Sequence, residues 1–243
     1  MATVDDTKPL GPKETKFIQE VVGVLGWYAR AVDCTILCAV NKLASRQACP
    51  TEAVLSDTMQ LLQYLATHPD ATTVFRPSEM QLAVHSDASY LSETQARSRA
   101  AGLFVLTYRN KLGHADANNG PIDCMSSMIK SVVSSAFEAE YAAMFMNGQN
   151  AEPIRNTLED LGYPQGATPI ISDNECAVGI ANRTVKQKRS KATDMKYHWI
   201  RDRIDQGHFV VSWAPGPTNL AEYVTKNHPA SHHKLMRSKY VEN

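Results

Sequence analysis

The chain has 243 residues, 43% hydrophobic and 21% charged, with 25 basic residues balancing 25 acidic ones. That composition fits a soluble globular protein with one large domain or a compact domain plus an appendage, and it excludes a chain that relies on overall positive charge to hold nucleic acid. No apolar run approaches the roughly 20 residues that span a bilayer, the polar opening from Met1 to Lys13 lacks the form of a secretory signal, and five cysteines without CxxC spacing argue against a disulfide framework or zinc ribbon. The expected location is therefore intracellular, with no membrane partner.

From Glu14 to about Asp70 the periodicity is helical. Phe17, Val21, Leu25 and Tyr28 recur at steps of four or three, as one face of a first helix requires. A second helix is expected through Ile36, Val40, Leu43 and Ala44, ending at Cys49-Pro50. A third runs through Leu55, Met59, Leu62 and Leu65, and the turn residues from His68 to Thr72 close it. The change to short apolar stretches that follows puts a domain boundary near residue 75.

Beyond it the order is that of an α/β protein. Strands are expected over 81–85, 102–108 and 122–129, three in succession as in a meander. A helix over 136–147 is continued or restarted over 152–161 and closed by Gly162. Residues 169–172 form a short buried strand, 174–181 a short helix, and 194–206 a longer helix through Met195, Trp199 and Ile200. A last strand over 208–213 sets Phe209, Val211 and Trp213 on one face, and a closing helix begins near Asn219.

Acidic residues fall at unusual places in this pattern. Carboxylates depress strand propensity and prefer water, yet Asp87 ends the apolar run from Leu82 to Ser86 and Asp173 ends the run from Pro169 to Ser172. If the two strands are neighbours, their acids converge at one edge of the sheet, the usual place for a site in an open α/β sheet. Glu140 adds a third acid on a helix whose other face carries Phe137, Ala143 and Met144. Its neighbour Glu138 lies about 200° around the axis, so only one of the two can face the sheet, and Glu140 is chosen. Clustered carboxylates repel one another unless cations neutralise them, and oxygen-only ligands favour magnesium or manganese.

Four motifs now stand in order: Ser86-Asp87-Ala88; the run Ser134-Ser135-Ala136-Phe137-Glu138-Ala139-Glu140-Tyr141; Ser172-Asp173-Asn174; and the run Asn219-Leu220-Ala221-Glu222-Tyr223-Val224-Thr225-Lys226. Together with the run from Lys196 to Arg201, they closely resemble the ribonuclease H domain of copia-type LTR retrotransposon Pol polyproteins. Upstream, the runs Ile18 to Gly23, Tyr28 to Asp33 and Tyr64 to Pro69 resemble the segment that links the polymerase to the nuclease in those polyproteins. The resemblance implies a ribonuclease H-like α/β fold, a five-stranded mixed sheet flanked by helices and preceded by a helical N-terminal segment. It divides the chain into a connection- or thumb-like segment over 1–75, the nuclease domain over 76–230 and a C-terminal tail over 231–243.

The family's activity would be hydrolysis of the RNA strand of an RNA–DNA hybrid during reverse transcription, by a two-metal mechanism using magnesium, with manganese as an alternative. The implied metal ligands and catalytic residues are Asp87, Glu140, Asp173 and Glu222. Asp87 would bridge both ions, Glu140 and Asp173 would hold the ion nearer the leaving group, and Glu222 would hold the one nearer the attacking water. Glu222 departs from the family, which usually carries aspartate there. The extra methylene moves the carboxylate by about 1.5 Å, and Asn219-x-x-Glu222 is also a helix capping-box pattern.

Lys186, Lys188, Arg189 and Lys191 form a basic run suited to the phosphates of the DNA strand. The implied partners are the hybrid and the polymerase portion of the same polyprotein, in the cytoplasm, a virus-like particle or the nucleus. An inactive module of the same fold, binding nucleic acid or the polymerase without cutting, is the alternative.

Overall fold

The computed structural model describes residues 5–108, 119–185 and 194–242. It divides into two compact units, one from Phe75–Lys226 and the other from Ala2–Val74 with Asn227–Asn243.

The second unit is helical. Its helices are α1 (Pro12–Ala31), α2 (Leu37–Arg46) and α3 (Glu52–Thr67). The buried face of α1 is Ile18, Val22, Leu25 and Ala29, so the stripe expected through Phe17 and Val21 is rotated by one residue and Phe17 is exposed. Both stripes have helical period, and packing on α2, which buries Leu37, Cys38, Val40 and Leu43, selects between them. Residues 231–243, expected as a tail, instead belong to this unit through a helix at Ala230–Arg237. Arg237 is buried 3.3 Å from the buried Asp33 carboxylate, and its Nε donates to the Tyr64 hydroxyl at 2.8 Å. A buried guanidinium needs such partners, and they fix the end of the chain.

The first unit carries β1 (Gln81–Ser89), β2 (Arg99–Thr107), β3 (Asp123–Met128), α4 (Ala136–Asp160), β4 (Thr168–Ser172), α5 (Glu175–Ala181), α6 (Asp194–Asp205) and β5 (Phe209–Trp213). The strands form one mixed sheet in the order β3-β2-β1-β4-β5. The first three are antiparallel, and β4 runs parallel to both β1 and β5. This is the five-stranded mixed sheet expected, with helices packed on it. Among the described residues, no helix is long and apolar enough to cross a membrane.

Helix α4 decides how the sheet is covered. It begins with a capping box: Ser135 Oγ accepts from Glu138 N, and the Glu138 carboxylate accepts from Ser134 N at 2.7 Å. It then continues through Pro153 without a break, so the sequence alternatives of one helix or two resolve as one. Its apolar side, including Ala139, Ala143, Met144 and Ala151, packs with Leu82 and Val84 of β1 and Phe104 of β2. Asn147 is fully buried there, donating to Ser86 Oγ at 2.9 Å and to the Ala101 carbonyl at 2.8 Å. The close approach requires Gly102, since a Cβ at that position would stand 1.9 Å from Asn147 Oδ1.

Two other expectations are corrected. Met195 of α6 is exposed, and Tyr197 and Ile200 carry its core contacts. The closing helix expected near Asn219 does not form. Short 3-10 turns at Gly216–Thr218 and Glu222–Val224 take its place. The reason is that the Asn219 side chain is committed to tertiary structure: its Nδ2 donates to the Ser86 carbonyl at 2.8 Å, while its Oδ1 accepts from Ala221 N at 3.2 Å.

Candidate active site

The parallel pairing of β1 with β4 sets His85 opposite Ile171. Asp87 and Asp173 each lie two residues further along, so they stand side by side where the strands diverge. Asp87 is inside β1, opposite Ala101 of β2, rather than past the strand end. Its buried position is maintained by the full antiparallel ladder on its other side.

Glu140 arrives from the first turns of α4. Its Oε1 accepts from Ala88 N at 3.1 Å, and its Oε2 lies 3.5 Å from Ser172 Oγ. The carboxylate is thereby tied to both acid-bearing strands. Glu138 is spent on the helix cap, and Glu140 is the one of the two glutamates that reaches the strands. Asp87, Glu140 and Asp173 each offer an oxygen, and these oxygens all lie within 4.8 Å of one another.

Burial and mutual repulsion set the electrostatics. Burial, then the Asp173 charge, pushes Asp87 up to about 6. Glu140 rises to about 9, again by burial first and then by the charges of Asp87 and Asp173. Asp173 is more open and is raised by its partial burial. Three clustered oxygen donors whose proton affinities are raised by burial and by one another's charge match divalent cations by their chemistry, because a cation relieves the same repulsion.

Glu222 reaches this region by another route. The segment from Asn219 to Lys226 lies along the face of β1 that bears His85, Asp87 and Ser89. Leu220 N donates to His85 Nδ1 at 3.3 Å, Ser89 Oγ donates to the Thr225 carbonyl at 3.0 Å, and Ser126 Oγ of β3 donates to the Val224 carbonyl at 2.8 Å. Glu222 stands beside the acid group without joining it, and its Oε1 pairs with Lys226 Nζ at 2.9 Å. Its Oε2 faces Gly216: a Cβ built there would lie 3.9 Å from that oxygen and 3.0 Å from Asp173 Oδ2. The two carboxylates thus flank one glycine, and any side chain at position 216 would crowd Asp173.

The basic run of Lys186, Lys188, Arg189 and Lys191 lies outside the described residues. Sequence reasoning missed three supports of the site. Arg99 is buried and holds Glu93 at 2.7 Å while reaching Ser126. Asn147 ties α4 to β1, and Asn219 ties the terminal segment to Ser86. An asparagine inside the apolar face of a helix was the available signal for Asn147; nothing local marks Arg99.

A mixed sheet in this order, with acids on its central parallel pair and on the helix that covers it, is the ribonuclease H-like fold. No protein-family model matches the chain. Its homologues are retrotransposon Pol polyproteins. The Retrovirus-related Pol polyprotein from transposon RE2 of Arabidopsis thaliana is 29% identical over 190 residues, 77% of this chain and 12% of that polyprotein. The Transposon Ty1-LR3 Gag-Pol polyprotein of Saccharomyces cerevisiae is 24% identical over 234 residues, 92% of this chain and 12% of that polyprotein. The chain therefore spans about an eighth of the length of these relatives. Among solved structures, the N-terminal ribonuclease H domain of rv2228c from Mycobacterium tuberculosis is similar at a TM-score of 0.44 and 12% identity, over 64% of this chain and 97% of that one.

Proposed function

We propose that this chain hydrolyses the RNA strand of RNA–DNA hybrids as the nuclease portion of a retroelement Pol polyprotein. The observation that carries the reading is the convergence of Asp87, Glu140 and Asp173, from β1, α4 and β4, onto one point where each offers an oxygen within 4.8 Å of the others. Magnesium or manganese ions held by these residues, with Glu222 as a fourth ligand, would supply positive charge and Lewis acidity at a phosphodiester. Asp87, central and buried, holds its place through the β1 ladder. Glu140 is oriented by Ala88 N, and Asp173 stands at the open side. In the reaction, a water oxygen would bond to phosphorus and give up a proton as the bond to the 3′ oxygen breaks and that oxygen takes up a proton, leaving a 5′-phosphate and a 3′-hydroxyl. Glu140 is the residue proposed to meet the ribose 2′-hydroxyl, by which RNA is told from DNA. Lys186, Lys188, Arg189 and Lys191 are proposed, on charge alone, to meet the DNA-strand phosphates.

One observation favours the second reading, a module that binds hybrid without cutting it: Glu222 is engaged by Lys226 and stands outside the group of three. The two separate on a labelled hybrid incubated with the purified chain and magnesium or manganese, beside duplex RNA and an Asp87→Asn control. Metal-dependent cutting of the hybrid's RNA that the control lacks supports the nuclease. Binding without cutting by folded protein refutes it and leaves the module.

A further inference from the structure

Lys226 has no part in the reading above except as the partner of Glu222, yet its setting is not that of an ordinary surface lysine. The two residues before it are almost fully buried. Their carbonyls are held by Ser126 and Ser89, and the Thr225 hydroxyl donates to the Glu222 carbonyl at 2.7 Å. The backbone at Lys226 is thus anchored to β1 and β3 while its side chain stays half exposed. Its ammonium lies 2.9 Å from Glu222 Oε1, the oxygen other than the one facing Gly216 and Asp173. Its charge also reaches inward, drawing the proton affinities of Asp87 and Asp173 down against the effect of burial.

An i,i+4 pair this exposed is weak, because water screens it and both side chains lose freedom in holding it. The link to Glu222 is therefore easily exchanged for a better acceptor. Charge supplies one. The carboxylates Asp87, Glu140 and Asp173 repel a phosphodiester, and any ions they held would be partly offset by their negative charge. A lysine at the rim of the site adds one positive charge where the substrate's negative charge must arrive.

We propose that Lys226 binds a backbone phosphate of the hybrid beside the scissile bond, exchanging Glu222 Oε1 for a phosphate oxygen while Glu222 Oε2 stays turned to the acid group. The proposal rests on the nuclease reading, and its test is read on binding so that the two can fail separately. Hybrid affinity is measured by fluorescence anisotropy across a salt series, with the full chain in an Asp87→Asn background that leaves the RNA intact. Each phosphate contact adds about 0.7 to 0.9 to the slope of log affinity against log salt. Lys226→Gln should flatten the slope by about that amount, whereas Lys226→Arg should keep it. A neutral methylphosphonate beside the cut bond should abolish the difference between the lysine and glutamine proteins. An unchanged slope in Lys226→Gln, or a difference that survives the methylphosphonate, overturns the proposal whatever the cleavage assay gives. Failure of the parent chain to bind hybrid overturns it together with the nuclease reading. Failure to cut with the slope change intact overturns the nuclease reading alone.

Discussion

Removing Asp87 should stabilise the protein when divalent ions are absent. The Asp87 carboxyl is buried, and its pKa rises from 3.8 to about 6 through that burial and the Asp173 charge. The folded chain therefore holds this proton more tightly than the unfolded chain does. Its contribution to stability is whole below about pH 4 and is lost as pH rises through about 6. At about 1.4 kcal/mol per tenfold change in proton affinity, the separation costs the folded state about 3 kcal/mol at pH 8, shared with its neighbours. Asn at this position carries no charge to bury, so in EDTA at pH 8 Asp87→Asn should melt higher than the parent by about 6 to 12 °C. At pH 4 the two proteins should melt nearly together. Magnesium should raise the melting temperature of the parent and do much less for the variant. Differential scanning calorimetry at both pH values, with EDTA and with magnesium, reads all of this. If Asp87→Asn melts below the parent in EDTA at pH 8, Asp87 is not a carboxylate waiting for a cation, and the electrostatic account of the site is wrong.

Three further outcomes follow from the supports around the acids. Gly102→Ala sets a methyl 1.9 Å from Asn147 Oδ1 and should destabilise by about 3 kcal/mol or more; Asn147→Ala added to it should recover part of the loss in urea denaturation, and no recovery would place the clash elsewhere. Arg99→Met leaves the Glu93 carboxylate buried and unpaired, a cost of about 3 to 5 kcal/mol, and adding Glu93→Leu should return most of it in the same assay. Asn219→Ala strips the Ser86 carbonyl and Ala221 N of their partner, so a loss of about 1 to 3 kcal/mol is expected, with hybrid cleavage reduced more than hybrid binding because Glu222 is no longer held over β1.

Most of the strands and helices, and the positions of the three acids that cluster, were legible in the sequence alone. Apolar runs that end in Asp87 and Asp173 are legible because a carboxylate is out of place in a strand, and helical period separates Glu140 from Glu138 because residues two apart point to opposite sides. Period alone did not choose between Phe17 and Ile18, or reject Met195, since neighbouring stripes satisfy the same spacing and only the packed partner selects one.

Proximity across sequence was beyond it. That Asp87 stands beside Asp173 depends on the parallel register of β1 and β4, which is a property of strand pairing rather than of either strand. The segment from Asn219 to Lys226 reads locally as a capped helix; it turns instead because Asn219 gains a buried tertiary bond to Ser86 that a helix cap would forfeit. The last residues, expected as a tail, fold because Arg237 finds Asp33 204 positions earlier and Tyr64 173 positions earlier. Local propensity is a property of neighbours along the chain, whereas burial and charge compensation depend on neighbours in space, and in this protein those forces bring Glu222 and Lys226 beside the acids.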